Sequence, residues 1–168
     1  FQEERISDMH FTNSSGYGYD DIGRDTLDKV YARIFNTESA LVRPHFVNGT
    51  HAIGCALMGN LRTNDTMLCI TGTPYDTLHN IIGISGKDNI GSLREHGVNY
   101  KQVDLKDGTF DKESIINVLK EDPSIKLVHI QRSTGYGWRK SFLVSEIGEI
   151  ISVIKEIRSD VCVFVDNC

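Results

Sequence analysis

The chain has 168 residues, 39% apolar and 24% charged, with a formal net charge of −5. That is the size and balance of one ordinary globular domain, and the acidic charge gives no electrostatic reason to expect nucleic acid or an anionic membrane as a partner. No apolar run approaches the ~20 residues that a membrane span needs.

The chain begins at Phe1 with no charged-then-apolar leader, and it stops at Cys168, just after the apolar run 161–165. Such a run reads as a central strand, so the chain reads as the front part of a longer polypeptide. The cysteines Cys55, Cys69, Cys162 and Cys168 form no CxxC pair and no metal-ligand spacing with histidine. Three of them sit in apolar runs, which suits small core residues in a reducing compartment and a cytoplasmic protein. On that reading the N-x-[ST] triplets at Asn13, Asn48 and Asn64 are chance matches.

In chain order, Leu27, Val30, Tyr31, Ile34 and Phe35 recur with helical period and predict an amphipathic helix. Residues 40–42 form a short strand candidate. Gly49–Asn60 reads as a helix whose continuous apolar content (Ala52, Ile53, Cys55, Ala56, Leu57, Met58) predicts burial. A strand is expected over 66–71, a short helix over 75–82, a loop over 83–91 and a strand over 98–103. Asp111 caps a helix burying Ile115, Ile116, Val118 and Leu119, which Pro123 ends. A strand over 126–131 leads into a polar, glycine-containing loop over 132–141. Ser145 is the expected cap of a helix carrying Ile147, Ile150, Ile151, Ile154 and Ile157, and the last strand is 161–165. His96 beside Gly97 suits a helix C-terminus, and His129 falls inside a strand.

Strands separated by helices of this length predict an α/β fold, a mostly parallel sheet flanked by helices. Ligands in such folds sit beyond the carboxyl ends of the strands. That rule selects Gly72-Thr73-Pro74-Tyr75, Arg132-Ser133 and Asp166-Asn167, together with Asn48-Gly49-Thr50 before the apolar helix. At the last of these, Asn48 can cap the helix while Gly49 admits a ligand to its first amides, a phosphate site if any anion is present and water otherwise. Asp166 follows an apolar run. It either pairs with a cation, such as a protonated heterocycle nitrogen, or caps the next turn. Tyr75 either stacks on a planar ligand or packs on the sheet.

Five segments in order, GYGYDDIGRDTL (16–27), NGTHAI (48–53), GTPYDTL (72–78), QRSTGYGWR (131–139) and VFVDNC (163–168), resemble the pyridoxal-phosphate (PLP) enzymes of Cys/Met metabolism. They look most like the methionine gamma-lyase and aluminium-resistance branch, and the similarity covers nearly the whole chain. The resemblance implies the large PLP-binding domain of the fold type I enzymes, with 1–22 as an N-terminal inter-subunit loop and 23–168 as the first part of that domain.

It also implies roles. Gly49 and Thr50 would give amides to the PLP phosphate, with His51 at the same helix start. Tyr75 would stack on the ring, Ser133 would lie near the ring oxygen, and Asp166 would pair with the pyridinium nitrogen. Tyr17 or Tyr19 would reach the phosphate of a neighbouring subunit in a homodimer or homotetramer. Related lyases often carry an arginine where Gly18 stands here, so the charge partner of the phosphate is unassigned, with Arg24 the nearby cation. The Schiff-base lysine of the family lies beyond Asp166. None of the nine lysines here has that setting, and Lys140 reads as a surface residue. The implied activity is a PLP-dependent carbon–sulfur lyase: loss of the alpha proton of a sulfur-containing amino acid, then elimination of a thiol from the beta or gamma carbon. The residues leave two alternatives, a non-catalytic homologue of that fold and a nucleotide-binding module. Against the latter, Gly16, Gly18 and Gly23 lack the GxGxxG spacing and follow no strand.

Overall fold

The computed structural model describes residues 1–15, 17, 21–85 and 90–168. The chain forms two compact units, Phe1–Val47 and Asn48–Cys168.

In the first unit a 3-10 turn at Asp8–Phe11 precedes helix α1, Ile22–Phe35. Asp21 caps α1 by accepting the Arg24 N–H at 3.0 Å, and Asn36 closes it in the left-handed region at φ 51°. Of the expected apolar stripe, Val30 is buried, whereas Ile34 and Phe35 are 65% and 67% exposed. No strand forms at 40–42. The Asp28 carboxylate instead takes the Val42 N–H at 2.8 Å, and Arg43 binds the same oxygen at 2.7 Å, so a side-chain pair uses the donor that a ladder would need.

The second unit opens with α2, Gly49–Asn60, capped by Asn48, whose Oδ1 accepts the His51 N–H at 2.8 Å. It continues with β1 (Thr66–Cys69), α3 (Asp76–Ile82), β2 (Asn99–Gln102), α4 (Lys112–Glu121), β3 (Ile125–Gln131), α5 (Val144–Ile157) and β4 (Cys162–Asp166). All four strands are parallel, in the order β2-β1-β3-β4. The strand expected to be central, β4, stands at one edge of this sheet and is half-buried.

Alternation along the strands sorts the core into two layers. Leu68, Ile70, Val128 and Ile130 pack under Ile115 and Leu119 of α4 and Ile147, Ile150 and Ile154 of α5. Met67, Cys69 and Leu127 face Leu57 of α2 and Leu78 and Ile82 of α3. Helix α2 buries only one stripe, Gly54 and Leu57, while Cys55 and Met58 are exposed within this unit, in contrast to the burial its composition predicts. Helix α5 starts two residues before its expected position. Glu146 reaches back to accept the Leu143 N–H at 2.7 Å, which makes Leu143 the cap and places Ser145 inside the helix. His96 lies in a turn leading to β2 and not at the end of a helix, and Gly97 takes φ +79°.

The chain leaves β1 towards β2 on one side and β3 towards β4 on the other. The β1–β3 boundary is therefore the topological switch point, where the loops diverge and leave a crevice beyond the strand ends.

Candidate functional site

A cavity of about 690 Å3 lies at this crevice, and each of the four loops contributes to its wall: Gly49 and Thr50, Tyr75, Ser133 to Tyr136, and Asp166 to Cys168. The start of α2 forms one end. Asn48 satisfies the His51 amide and its carbonyl takes the Ala52 N–H at 3.1 Å, while the amides of Gly49 and Thr50 belong to the first turn, which has no intrahelical acceptor. A Cβ built on Gly49 would meet nothing within 4 Å. The space in front of these amides is open, with the positive end of the helix dipole behind it. The Thr50 hydroxyl donates to that of Thr77 at 3.0 Å and so ties the starts of α2 and α3 together.

Asp166 ends β4 and is 8% exposed. Its Oδ1 accepts the Cys168 N–H at 3.2 Å, and no Lys or Arg among the described residues pairs with it. His129 offers no counter-charge either. It is fully buried, stacked on Phe164 with ring centroids 5.7 Å apart, and its Nδ1 lies 3.7 Å from Cys69 Sγ. Burial pushes its pKa down to about 4, against an opposing pull from Asp166, so the imidazole is neutral near pH 7. Its Nε2 has no hydrogen-bond partner among the described residues. A nearly buried carboxylate thus faces a cavity without a cation, a costly arrangement that a cationic ligand would relieve.

Between these ends stands Tyr75. Its ring stacks on Tyr136 with centroids 5.3 Å apart. Gly135, at φ +56°, passes so close that a Cβ there would lie 3.2 Å from the Tyr75 ring. The Pro74 carbonyl accepts from His79 Nε2 at 2.8 Å, and the Tyr75 N–H donates to Gln131 Oε1 at 2.7 Å. Ser133 is half-buried on the wall, and its carbonyl accepts from Gln131 Nε2 at 3.2 Å.

Gly49, Thr50, Tyr75, Ser133 and Asp166 therefore share one cavity. His51 is exposed and is not among the lining residues. Tyr17 belongs to the first unit and is 97% exposed; Tyr19 and Gly18 lie outside the described residues. Lys140 is exposed and pairs with Glu146 at 2.7 Å. No Lys, Arg or His among the described residues lines the cavity, so a phosphate there would meet helix amides and not a side-chain cation of this unit. Gln131, Thr77 and Tyr136 fall inside the quoted segments 72–78 and 131–139, but the sequence pattern gives them no role. The one available signal is that Gln131, like Asp166, is a polar residue closing an apolar strand. Open amides at one end, an aromatic wall, and an unpaired buried carboxylate at the other suit a planar, phosphorylated, protonated heterocycle, and the residues fit PLP on that ground.

The whole chain, residues 1–168, matches the family model described as methionine gamma-lyase. A structure from Clostridium acetobutylicum, described as a candidate cystathionine beta-lyase involved in aluminum resistance, is 70% identical with a TM-score of 0.96, over 100% of this chain and 40% of that one. A carbon–sulfur lyase involved in aluminum resistance from Clostridium novyi NT is 66% identical with a TM-score of 0.94, again over 100% and 40%. The Bacillus subtilis (strain 168) protein YnbB is 52% identical over 169 residues, covering 100% of this chain and 40% of its own length. The chain thus spans about 40% of the length of these relatives.

Proposed function

Because the chain belongs to the methionine gamma-lyase family, we propose that residues 23–168 form the first part of the PLP-binding domain of a carbon–sulfur lyase acting on a sulfur-containing amino acid. The observation that carries this reading is the pairing, in one cavity, of the open amides of Gly49 and Thr50 with the cation-free carboxylate of Asp166.

Bound PLP supplies an electron sink for the negative charge that develops at the substrate's alpha carbon. Gly49 and Thr50 would donate backbone N–H groups to its phosphate at the start of α2. Asp166 would hold the proton on the ring nitrogen, and no Lys or Arg among the described residues competes for its carboxylate. Tyr75 would stack on the ring and exclude water from it, and Ser133 would contact the ring oxygen. His51, at the same helix start but exposed, acts only at the rim.

The Schiff-base lysine implied by the family would lie in the part of the relatives' length that residues 1–168 do not span, so these residues alone would not turn over. The segment 1–22, with Tyr17 and Tyr19, serves as an inter-subunit loop reaching the phosphate of a neighbouring copy in a cytoplasmic homodimer or homotetramer. No helix of the described residues is long and apolar enough to cross a membrane.

The test uses the full-length protein and its Asp166→Asn variant, with thiol release from a thioether amino acid measured beside denaturant unfolding. The reading expects activity to fall about 100-fold or more, as loss of an electrostatic stabiliser does, with little change in the unfolding midpoint. Equal loss of activity and stability would make Asp166 a structural residue and overturn its assigned role.

A further inference from the structure

Gln131 does not line the main cavity, yet its side chain joins two of the loops that do. It closes β3, is 5% exposed, and lines a smaller cavity of about 350 Å3 that is separated from the main one by Tyr75, Thr134, Gly135 and Tyr136, residues common to both walls. Its Oε1 accepts the Tyr75 N–H at 2.7 Å and its Nε2 donates to the Ser133 carbonyl at 3.2 Å. Its own backbone is fixed on both sides. The Gln131 N–H donates to Thr71 Oγ1 at 3.1 Å, and its carbonyl accepts from Arg139 Nη2 at 3.0 Å. A carboxamide carries an acceptor oxygen and a donor NH2 on one planar group, so it can accept from one loop and donate to the other at once.

These contacts decide where the Tyr75 ring can stand. Tyr75 follows Pro74, which has no N–H, and it caps the seven-residue helix α3 without a side-chain capping bond. The Gln131 bond is therefore what fixes the backbone of Tyr75 from the sheet side. The Gly135 turn seats against both partners, because a Cβ there would lie 3.2 Å from the Tyr75 ring and 3.3 Å from Gln131 Nε2.

We propose that Gln131 is a positioning residue that clasps the β1–α3 and β3–α5 loops across the switch point and so sets the Tyr75 ring and Ser133 for the planar cofactor. The role rests on the PLP reading above, and it is exerted through Tyr75 and Ser133 without contact between Gln131 and the cofactor.

The experiment uses full-length protein stripped of cofactor, in wild-type, Gln131→Leu, Gln131→Glu and Gly135→Ala forms. Two quantities are measured: hydrogen exchange of the Tyr75 amide without PLP, and the dissociation constant for added PLP. In Gln131→Leu the partly buried Tyr75 N–H loses its acceptor, so Tyr75 exchange should quicken and PLP affinity should fall, each about tenfold or more. Gln131→Glu keeps the acceptor oxygen for Tyr75 but loses the donor to Ser133. It should restore Tyr75 protection and recover part of the affinity. Gly135→Ala, in an exposed turn, should weaken PLP binding by displacing the ring even if Gln131→Leu folds poorly.

Unchanged Tyr75 exchange in Gln131→Leu would overturn the clasp. So would faster exchange throughout β1 and β3 that Gln131→Glu fails to correct, or unchanged PLP affinity in both Gln131→Leu and Gly135→Ala. A wild-type protein that binds no PLP would defeat the cofactor reading instead, and with it the ligand the clasp is said to serve, while the exchange comparison still reports on the clasp's bond to Tyr75.

Discussion

The rings of Tyr75 and Tyr136 stack with their planes inclined by 26°, and the Tyr75 hydroxyl donates to that of Tyr136 at 3.0 Å. One tyrosine belongs to the loop after β1 and the other to the loop after β3, so the pair spans the switch point on the cavity side while Gln131 spans it from behind.

That phenol pair has a titration signature. The hydrogen bond to Tyr136, followed by burial and the nearby charges, pushes the Tyr75 phenol up to about 12. In Tyr136→Phe the bond that favours the protonated phenol is gone, so Tyr75 should ionise at lower pH, back towards the ordinary tyrosine value. Ultraviolet titration of tyrosinate, with Tyr75→Phe to identify the group, measures this. An unchanged Tyr75 titration would show that the pair does not persist in solution.

Gly49 allows steric and structural roles to be separated. Nothing lies within 4 Å of a Cβ at this position, and alanine is a better helix former than glycine by up to about 1 kcal/mol. Gly49→Ala should therefore leave stability equal or slightly higher. The added methyl at the start of α2 should nonetheless weaken binding of PLP and of inorganic phosphate. Calorimetric titration beside urea unfolding reads both effects, and a variant that binds PLP as well as the wild type would remove the phosphate from this helix start.

How much of this was legible along the chain differs between local and non-local features. Helix α2 runs from Gly49 to Asn60 as its cap and apolar content indicate, because Asn48 fixes its start by a bond three residues away. The strand–helix alternation likewise carries the parallel α/β order. What escaped depends on partners distant in sequence. The Asp28–Arg43 pair removes the expected strand at 40–42. The earlier start of α5 is the local exception, since Glu146 bonds the Leu143 N–H only three residues away, and Ser145 offers a competing cap. Gln131 meets Tyr75 across 56 residues, a separation that no window of local pattern covers. The partial burial of α2 escaped because apolar composition states what a helix can bury and not what covers it.

His129 makes a prediction for acid stability. Its pKa is about 4 in the folded protein against 6.5 ordinarily. Between those values the unfolded chain binds the proton and the folded one does not, so stability rises with pH across that window. The contribution is complete above pH ~6.5 and is lost progressively down to about pH 4, on the order of 3 kcal/mol in all. His129→Phe should flatten the fall in unfolding free energy between those pH values while keeping the stacking on Phe164. Equally steep acid limbs in both proteins would assign the loss to other groups. Asp166→Asn should lower the His129 pKa further, since the Asp166 charge acts against the effect of burial.

Whether this cavity holds PLP is read from the visible absorption spectrum of the full-length protein, recorded after PLP is added and the unbound cofactor removed, and again after borohydride. PLP held here should give a yellow chromophore that borohydride bleaches and fixes covalently to the protein, with its formation weakened in Tyr75→Ala and Gly49→Ala. A full-length protein that is colourless once unbound PLP has been removed, after incubation with an excess, would mean that the cavity holds no PLP, whatever the likeness of its fold.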